Sequence, residues 1–289
     1  MGEFTVCNVC DNPGTFKQAK DVRQISSNVR KFKEHKFTVW RCSSCHSLHS
    51  KDSVDLDYYY ADYPINNLRF NNFISRLAYQ GPLKLLLKHG FKKNHKLLDF
   101  GCNQGLFLSF LHQLGYNNAF GYDSYIPKYS DQSVLDHEYD IIFTDQVIEH
   151  LKEPRKVFGQ LVSCLKKGGL LVVGTPNADE IELSDSYLTM LHQPYHQHIL
   201  SEKALLNLGL SNGLEVVKVY KRWSGNSLFP TLNPRFIFTY VRCTGNMIDV
   251  ATEPPRLGTI LTSPLLMFYA FAGYFFPHPG NMIVVFRCN

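Results

Sequence analysis

The sequence predicts an α/β protein: a doubly wound, mostly parallel sheet, preceded by a small four-cysteine module and followed by an aromatic-rich extension. Three observations carry this reading. Short apolar runs alternate with amphipathic helical segments over residues 96–220, the order expected when parallel strands are joined by crossover helices. The run 96–100 (KLLDF) contains an acid near its end and meets Gly101 and Gly105, four apart, immediately before a helical pattern begins. Two C-x2-C pairs stand near the start, Cys7/Cys10 and Cys42/Cys45.

Composition bounds the rest. The 289 residues are 44% hydrophobic and 19% charged, which excludes a disordered chain and allows a large core. The net charge of +5 comes without a run of basic residues, so a nucleic-acid partner is permitted but not indicated, and acidic small substrates fit equally well. Residues 1–10 are polar and hold no secretory signal, and the longest apolar run, 265–276, is shorter than the roughly 20 residues that span a bilayer. A cytoplasmic protein without a membrane span is expected.

Residues 1–52 read as a zinc-ribbon module. Each C-x2-C pair can form a knuckle with two thiolates, and Cys7, Cys10, Cys42 and Cys45 together complete a tetrahedral Zn2+ site. Four thiolates leave no open position, so this zinc is expected to be structural. The 31 residues between the pairs predict a long hairpin, with the β-rich run 37–40 paired to 16–22 and the polar stretch 26–36 as an exposed loop. Residues 53–95 read as a linker and covering helices. A stretch dense in tyrosine and acid, 57–64, ends at Pro64; its tyrosines serve either to pack the linker or to cover a ligand. Helical faces follow on Phe70, Phe73, Ile74 and Leu77 and, after a break at Gly81-Pro82, on Leu83, Leu85, Leu86 and Leu87.

Residues 96–220 form the main domain. Strands are expected at 97–100, 119–122, 139–144 and 170–174, with helices at 106–114 and 154–165 and a stop signal at 166–169. In such a sheet the ligand lies beyond the carboxyl ends of the strands, where Asp99, Gly101, Asp123 and Asp145 should converge. Two nucleotide motifs fail at the glycine turn. Asn103 stands where a dinucleotide fingerprint needs its second glycine, and Leu106 where a phosphate loop needs lysine.

The residues instead resemble the class I S-adenosylmethionine-dependent methyltransferases. The run 97–105, L-L-D-F-G-C-N-Q-G, is similar to their first motif, usually D-x-G-C-G-x-G, with Asn103 as the departure. Asp123 in F-G-Y-D, the run Y-D-I-I-F-T-D-Q-V-I-E-H over 139–150, and L-K-K-G-G-L-L-V-V-G-T-P-N over 165–177 follow in the family's order. The four-cysteine module resembles the zinc-binding extension of a subgroup that includes sugar C-methyltransferases. The resemblance implies a Rossmann-like methyltransferase fold with an antiparallel hairpin at the sheet edge. It also implies S-adenosylmethionine held by Asp99, Gly101, Cys102, Asn103 and Gly105 at the turn and by Asp123 at the ribose. Asparagine tolerates left-handed backbone better than most residues, so the turn can survive Asn103. Only 16 residues separate Asp123 from Asp140, too few for a helix and another strand of ordinary length. Asp145, Gln146 and Val147 are the candidates for covering the adenine side.

For the acceptor, 192–201 (HQPYHQHILS) concentrates histidines and Tyr195 just before a helix that Ser201 should cap. A neutral histidine can take a proton from the attacking group, which makes His196 and His198 candidate bases, with loop fixation as the competing role. Glu149 and His150 are candidate positioning groups. Residues 221–289 are read as a substrate cap or packing element with the last strand at 280–286; the run 265–276 lacks the lysines and arginines of an interfacial helix. The expected function is methyl transfer to a small acceptor, a sugar or other hydroxylated metabolite. Two alternatives stand beside it: an RNA- or protein-modifying methyltransferase that docks through the zinc ribbon and the basic 23–36 stretch, and a non-catalytic cofactor-binding scaffold.

Overall fold

The structure is a computed structural model and describes residues 3–64, 72–229, 231–276, 278 and 280–289; for 72–75 it describes the backbone course alone. Its centre is a six-stranded sheet in the order β5 (Ala119–Tyr122), β4 (Leu97–Phe100), β6 (Tyr139–Asp145), β7 (Leu165–Pro176), β10 (Asn281–Cys288), β9 (Leu214–Tyr220). The first four strands are mutually parallel, and β10 runs antiparallel between β7 and β9. The expected edge hairpin is therefore present.

Strand alternation assigns each side chain to one of two helical layers. Leu97, Ile141, Val172, Ile283 and Val285 point to one face, where they meet Leu83, Leu86, Phe107 and Leu111. Those residues belong to α2 (Asn72–Lys88) and α3 (Leu106–Gln113). Leu98, Ile142, Leu171, Val173, Val284 and Phe286 point to the other, against Phe158, Leu161, Leu205 and Leu208. These come from α4 (Pro154–Ser163) and α6 (Glu202–Ser211). Each such side chain contributes about 1.5–3 kcal/mol by leaving water. Both faces of the central strands are covered, which is why their sequences are continuous apolar runs and not alternating ones.

The second layer continues without interruption into the N-terminal module: Cys7, Val9, Trp40, Cys42 and Cys45 belong to the same buried cluster as Leu98 and Phe158. The module's own sheet has the order β1 (Asp21–Ser26), β2 (Lys36–Arg41), β3 (Leu48–Ser50), β8 (His198–Ile199), so a strand from beyond residue 190 completes it. Ser201 fastens the two parts further. Its hydroxyl donates to the Cys45 carbonyl and accepts from Ala204 N as the cap of α6, while its backbone N–H donates to Ser47 Oγ.

Several boundaries differ from expectation for physical reasons. The partner of β2 begins at Asp21, because 16–18 close into a 3-10 turn. The stretch 26–36 is not an exposed loop: Ser27, Asn28, Val29 and Phe32 are buried. Phe32 packs with Val29, Phe37, Tyr59 and Tyr195, so its apolar anchors outweigh the surrounding polarity. Helix α2 passes through Gly81-Pro82 without a break; the missing side chain of Gly81 lets the Ser224 carbonyl lie 2.3 Å from where a Cβ would stand. Phe70 and the side chains of Phe73 and Ile74 lie outside the described residues. Strand β7 starts at Leu165, pairing with Tyr139, and accommodates the predicted stop signal as a register shift with Gly168 at φ 78°. The short segment after Asp123 forms two 3-10 turns, Pro127–Tyr129 and Gln132–Asp136, in agreement with the space available.

The remaining helices come from the linker, the segment before the histidine-rich loop and the C-terminal extension. Helix α1 (Leu56–Tyr60) is capped by Asp55, and α5 (Leu188–Leu191) leads into the histidine-rich loop. In the C-terminal extension α7 (Pro234–Cys243), α8 (Leu257–Thr262) and α9 (Pro264–Ala272) share a small core of Phe236, Tyr240, Val241, Val250 and Leu266. Phe268, Phe271, Phe275 and Phe276 stay exposed. Among the described residues no helix is long and apolar enough to cross a membrane.

Candidate active site

The turn after β4 is built from left-handed residues. Gly101, Asn103 and Gly105 have φ of 82°, 48° and 70°. Asparagine thus takes the conformation that the motif usually gives to glycine. At Gly101 no side chain would fit, because a Cβ would stand 2.2 Å from Val147 Cγ2. Gly101 N and Cys102 N both donate to the Tyr122 carbonyl at the end of β5, and Asn103 N donates to Asp123 Oδ2 at 2.9 Å. Asp123 Oδ1 accepts from Tyr125 N. Asp123 is therefore locked beside the turn, where each oxygen keeps a second lone pair for a ligand. The Cys102 side chain points away and packs against Gly121.

Three strands deliver three carboxylates to this mouth. Burial, reinforced by Asp145 and Asp123, pushes the Asp99 carboxyl up to about 8. Burial raises Asp145 to about 6, against the hydrogen bond that Ser224 Oγ donates to its Oδ2. Gly174 leaves room for the other oxygen, Oδ1, which lies 1.9 Å from an added Cβ. Gln146 and Trp223 also turn side-chain N–H groups toward Asp145, and Asn103 Oδ1 is buried without a hydrogen-bond partner. An unspent acceptor of this kind is costly unless a ligand engages it. A ligand with both cationic and hydrogen-bonding groups fits this set: S-adenosylmethionine carries a sulfonium, an ammonium and a nucleoside. Trp223 and Ser224 were invisible to sequence reasoning, since nothing local links them to a strand end 79 residues away.

A second cluster stands next to the first. The 3-10 turn Ile148–His150 follows β6 directly and carries Glu149 and His150 toward His196, and one ligand atom from each of the three lies within 4.8 Å of the others. Glu149 is fully buried; its Oε2 accepts from Thr175 Oγ1 at 2.9 Å, and its Oε1 has no partner. Burial raises its carboxyl to about 8 and lowers His150 to about 4. His196 Nδ1 lies 2.7 Å from the Met190 carbonyl, which can only accept, so Nδ1 carries the hydrogen and Nε2 a free lone pair. Burial, then the neighbouring His150 and His192, holds His196 well below the usual imidazole range, which keeps that lone pair available at neutral pH.

Aromatic side chains enclose this cluster. Tyr60 Oη is 3.0 Å from His150 Nδ1, and Tyr63 Oη is 3.2 Å from His192 Nε2, whose other nitrogen lies 2.7 Å from Asn28 Oδ1. Tyr195 donates from its hydroxyl to the Tyr59 carbonyl and stacks on His192 at 4.8 Å. Tyr125 stacks on Tyr60 at 4.6 Å. Of the tyrosines of 57–64, Tyr60 and Tyr63 are gathered at the cluster, Tyr59 packs on Phe32 and Phe37, and Tyr58 stays exposed. His192, Asn28 and Thr175 complete it without having been marked in the sequence; the density of histidine at 192–198 was the one available signal for His192.

His198 goes elsewhere. On β8 it faces the N-terminal module, 2.9 Å from His49 Nδ1 and 3.0 Å from Asn8 Nδ2. In the same module Cys7, Cys10, Cys42 and Cys45 bring their sulfurs within 4.8 Å of one another. The 3.7 Å contact between the Cys7 and Cys45 sulfurs raises the Cys7 thiol and lowers that of Cys45. Four sulfurs gathered in this way match the donor set of a tetrahedral zinc.

A family model described as a methyltransferase domain matches residues 70–219. The chain belongs to this family. It is an S-adenosylmethionine-dependent methyltransferase. Among similar solved structures is a SAM-dependent methyltransferase from Archaeoglobus fulgidus, with TM-score 0.46 and 15% identity, covering 80% of this chain and 100% of that one. Another is the complex of the Haloferax volcanii Trm112 methyltransferase activator with a methyltransferase, with TM-score 0.48 and 12% identity, covering 82% and 99%. A third is a sarcosine dimethylglycine methyltransferase structure from Galdieria sulphuraria, with TM-score 0.45 and 16% identity, covering 73% and 85%. No curated protein matches the methyltransferase.

Proposed function

We infer that the enzyme methylates a small hydroxylated metabolite, with a sugar as the leading class, at the Glu149–His150–His196 cluster. The observation that carries this is enclosure: Glu149 and His196 are buried and His150 half-buried beneath Tyr60, Tyr63 and Tyr195, a setting that suits a small polar molecule. Tyrosine hydroxyls and aromatic faces are the groups that recognise hydroxyls and sugar rings. Asp99, Gly101, Asn103, Gly105 and Asp123 hold the amino-acid and ribose parts of the cofactor, while Asp145, Gln146 and Val147 cover its adenine side. The cysteine quartet holds a structural zinc.

The chemistry asked of the protein is modest. S-adenosylmethionine supplies a methyl group already activated on a sulfonium sulfur, so the enzyme's work is to hold the acceptor oxygen in line with it. As that oxygen bonds to the methyl carbon, the sulfur keeps the electron pair of the broken bond, and the hydroxyl proton passes to His196 Nε2. Glu149 and His150 orient the acceptor beside it; Tyr195 shapes the wall, and His198 serves the N-terminal module. The test is a panel of sugar nucleotides and other hydroxylated metabolites incubated with methyl-labelled cofactor. Label transfer to one of these is expected. Transfer only to RNA or protein, with strongly salt-dependent binding for RNA, would overturn the acceptor class.

A further inference from the structure

We propose that Glu149, His150 and His196 bind a divalent first-row transition cation, with coordination positions left open toward the acceptor. The proposal rests on the placement of the acceptor at this cluster; in the metal-free enzyme the His196 lone pair receives the proton as described above.

Three features of the cluster point to a cation. The first is the donor set itself: one carboxylate and two imidazoles, each offering a ligand atom within 4.8 Å of the rest, and among the described residues no further His, Cys, Asp or Glu joins them. Three protein ligands of this mixed nitrogen and oxygen kind, with open positions, are how catalytic divalent sites are built, whereas calcium and magnesium prefer all-oxygen shells. The second is an unpaid buried acceptor. Glu149 Oε1 has no hydrogen-bond partner although the residue is fully buried, and a carboxylate in that state needs either a proton or a cation.

The third is the outer shell. Metal-binding histidines and carboxylates are characteristically held by a second hydrogen bond that fixes their orientation. All three residues have one. His196 Nδ1 is held by the Met190 carbonyl, His150 Nδ1 by Tyr60 Oη, and Glu149 Oε2 by Thr175 Oγ1. For His196 the carbonyl also fixes the tautomer, so the remaining nitrogen is the bare one that a metal requires. The three outer partners come from α5, α1 and β7. The arrangement is thus assembled by the tertiary fold and is not a local accident of sequence.

The experiment is a cobalt(II) titration of the full-length, zinc-loaded protein followed by visible absorption, with calorimetric binding of S-adenosylmethionine measured on the same samples. One equivalent of cobalt should bind with the ligand-field spectrum of nitrogen and oxygen donors and no thiolate charge-transfer band. Glu149→Gln and His196→Asn should each weaken it by at least about tenfold while cofactor binding is retained, which also certifies that the variants are folded. Tyr60→Phe, which leaves all three ligands in place, should weaken it by about tenfold through the outer shell alone. Wild-type protein that binds cofactor but takes up no cobalt outside the thiolates would overturn the proposal, as would cobalt binding unchanged in all three variants. Absence of cofactor binding would count against the cofactor site and leave the cobalt result to stand by itself.

Discussion

The cysteine quartet and the Glu149–His150–His196 cluster both bring metal-ligating atoms within 4.8 Å of one another, yet they differ in the number and kind of their donors. The quartet offers four soft donors on two knuckles, embedded in the main apolar core beside Trp40 and Val9. The second cluster offers three harder donors, each braced from outside, on a wall of tyrosines at the sheet's mouth. Under our reading the first set is saturated by its metal and fastens the fold, whereas the second is unsaturated and faces a ligand. Burial alone does not separate the two, since Glu149 is as buried as Cys42. What separates them is whether the donors, once gathered, leave anything undone.

The contrast can be broken at its stronger end first. Cys42→Ser should abolish zinc binding and with it cooperative folding, because a structural zinc contributes on the order of 10 kcal/mol; metal analysis and a thermal melt check this. A folded, zinc-free variant with an unchanged melt would remove the fastening role. At the second cluster the balance should invert. His196→Gln is expected to lower turnover by about 10²–10⁴-fold, the usual share of a positioned proton acceptor, while the melting temperature barely moves. Near-normal turnover in that variant would take His196 out of the chemistry.

Acidity gives a smaller effect with a definite sign. Asp99 has its carboxyl raised to about 8 and Asp145 to about 6, so the cofactor-free fold is favoured by their protonated forms. That stabilising share is complete below the unfolded value near 4 and is lost as pH rises through about 6 and then about 8. A cationic ligand prefers the ionised forms, so cofactor affinity should move the opposite way and rise between pH 6 and 9. Melting temperature and calorimetry across that range are the two readouts, and Asp99→Asn should flatten both near pH 8. The smallest change expected is Tyr63→Phe, which removes only the hydroxyl 3.2 Å from His192; a loss of about 1 kcal/mol in stability or acceptor affinity is the scale of one hydrogen bond.

How much could be read in advance follows the range of the interactions. The parallel strands were legible because burial on both faces writes continuous apolar runs such as Leu97-Leu98 and Leu170-Leu171-Val172-Val173. The glycine turn was legible because its conformation depends on neighbours in sequence, and Asn103 at φ 48° behaves as its chemistry suggests. The shortness of the segment after Asp123 also excluded a further strand there. Other features depend on distant partners and left no local mark. Asn28 looks like a surface residue in a polar stretch and is buried because His192, 164 positions away, needs an acceptor. His198 shares its loop with His196 but is drawn into the N-terminal sheet by pairing with His49. Ser224 reaches Asp145 from an extension whose aromatic composition alone gave no hint of that contact.

The most direct test of the division between a cofactor side and an acceptor side is calorimetric titration of S-adenosylmethionine into the wild type, Asp123→Ala and Glu149→Gln. The account predicts one site in the wild type and binding weakened about 10- to 100-fold in Asp123→Ala, the scale of hydrogen bonds to a charged group. It predicts an affinity within about twofold of wild type in Glu149→Gln, on the premise that this side chain serves the acceptor and contributes no bond to the cofactor. Equal loss in the two variants, or no loss in Asp123→Ala, would contradict it.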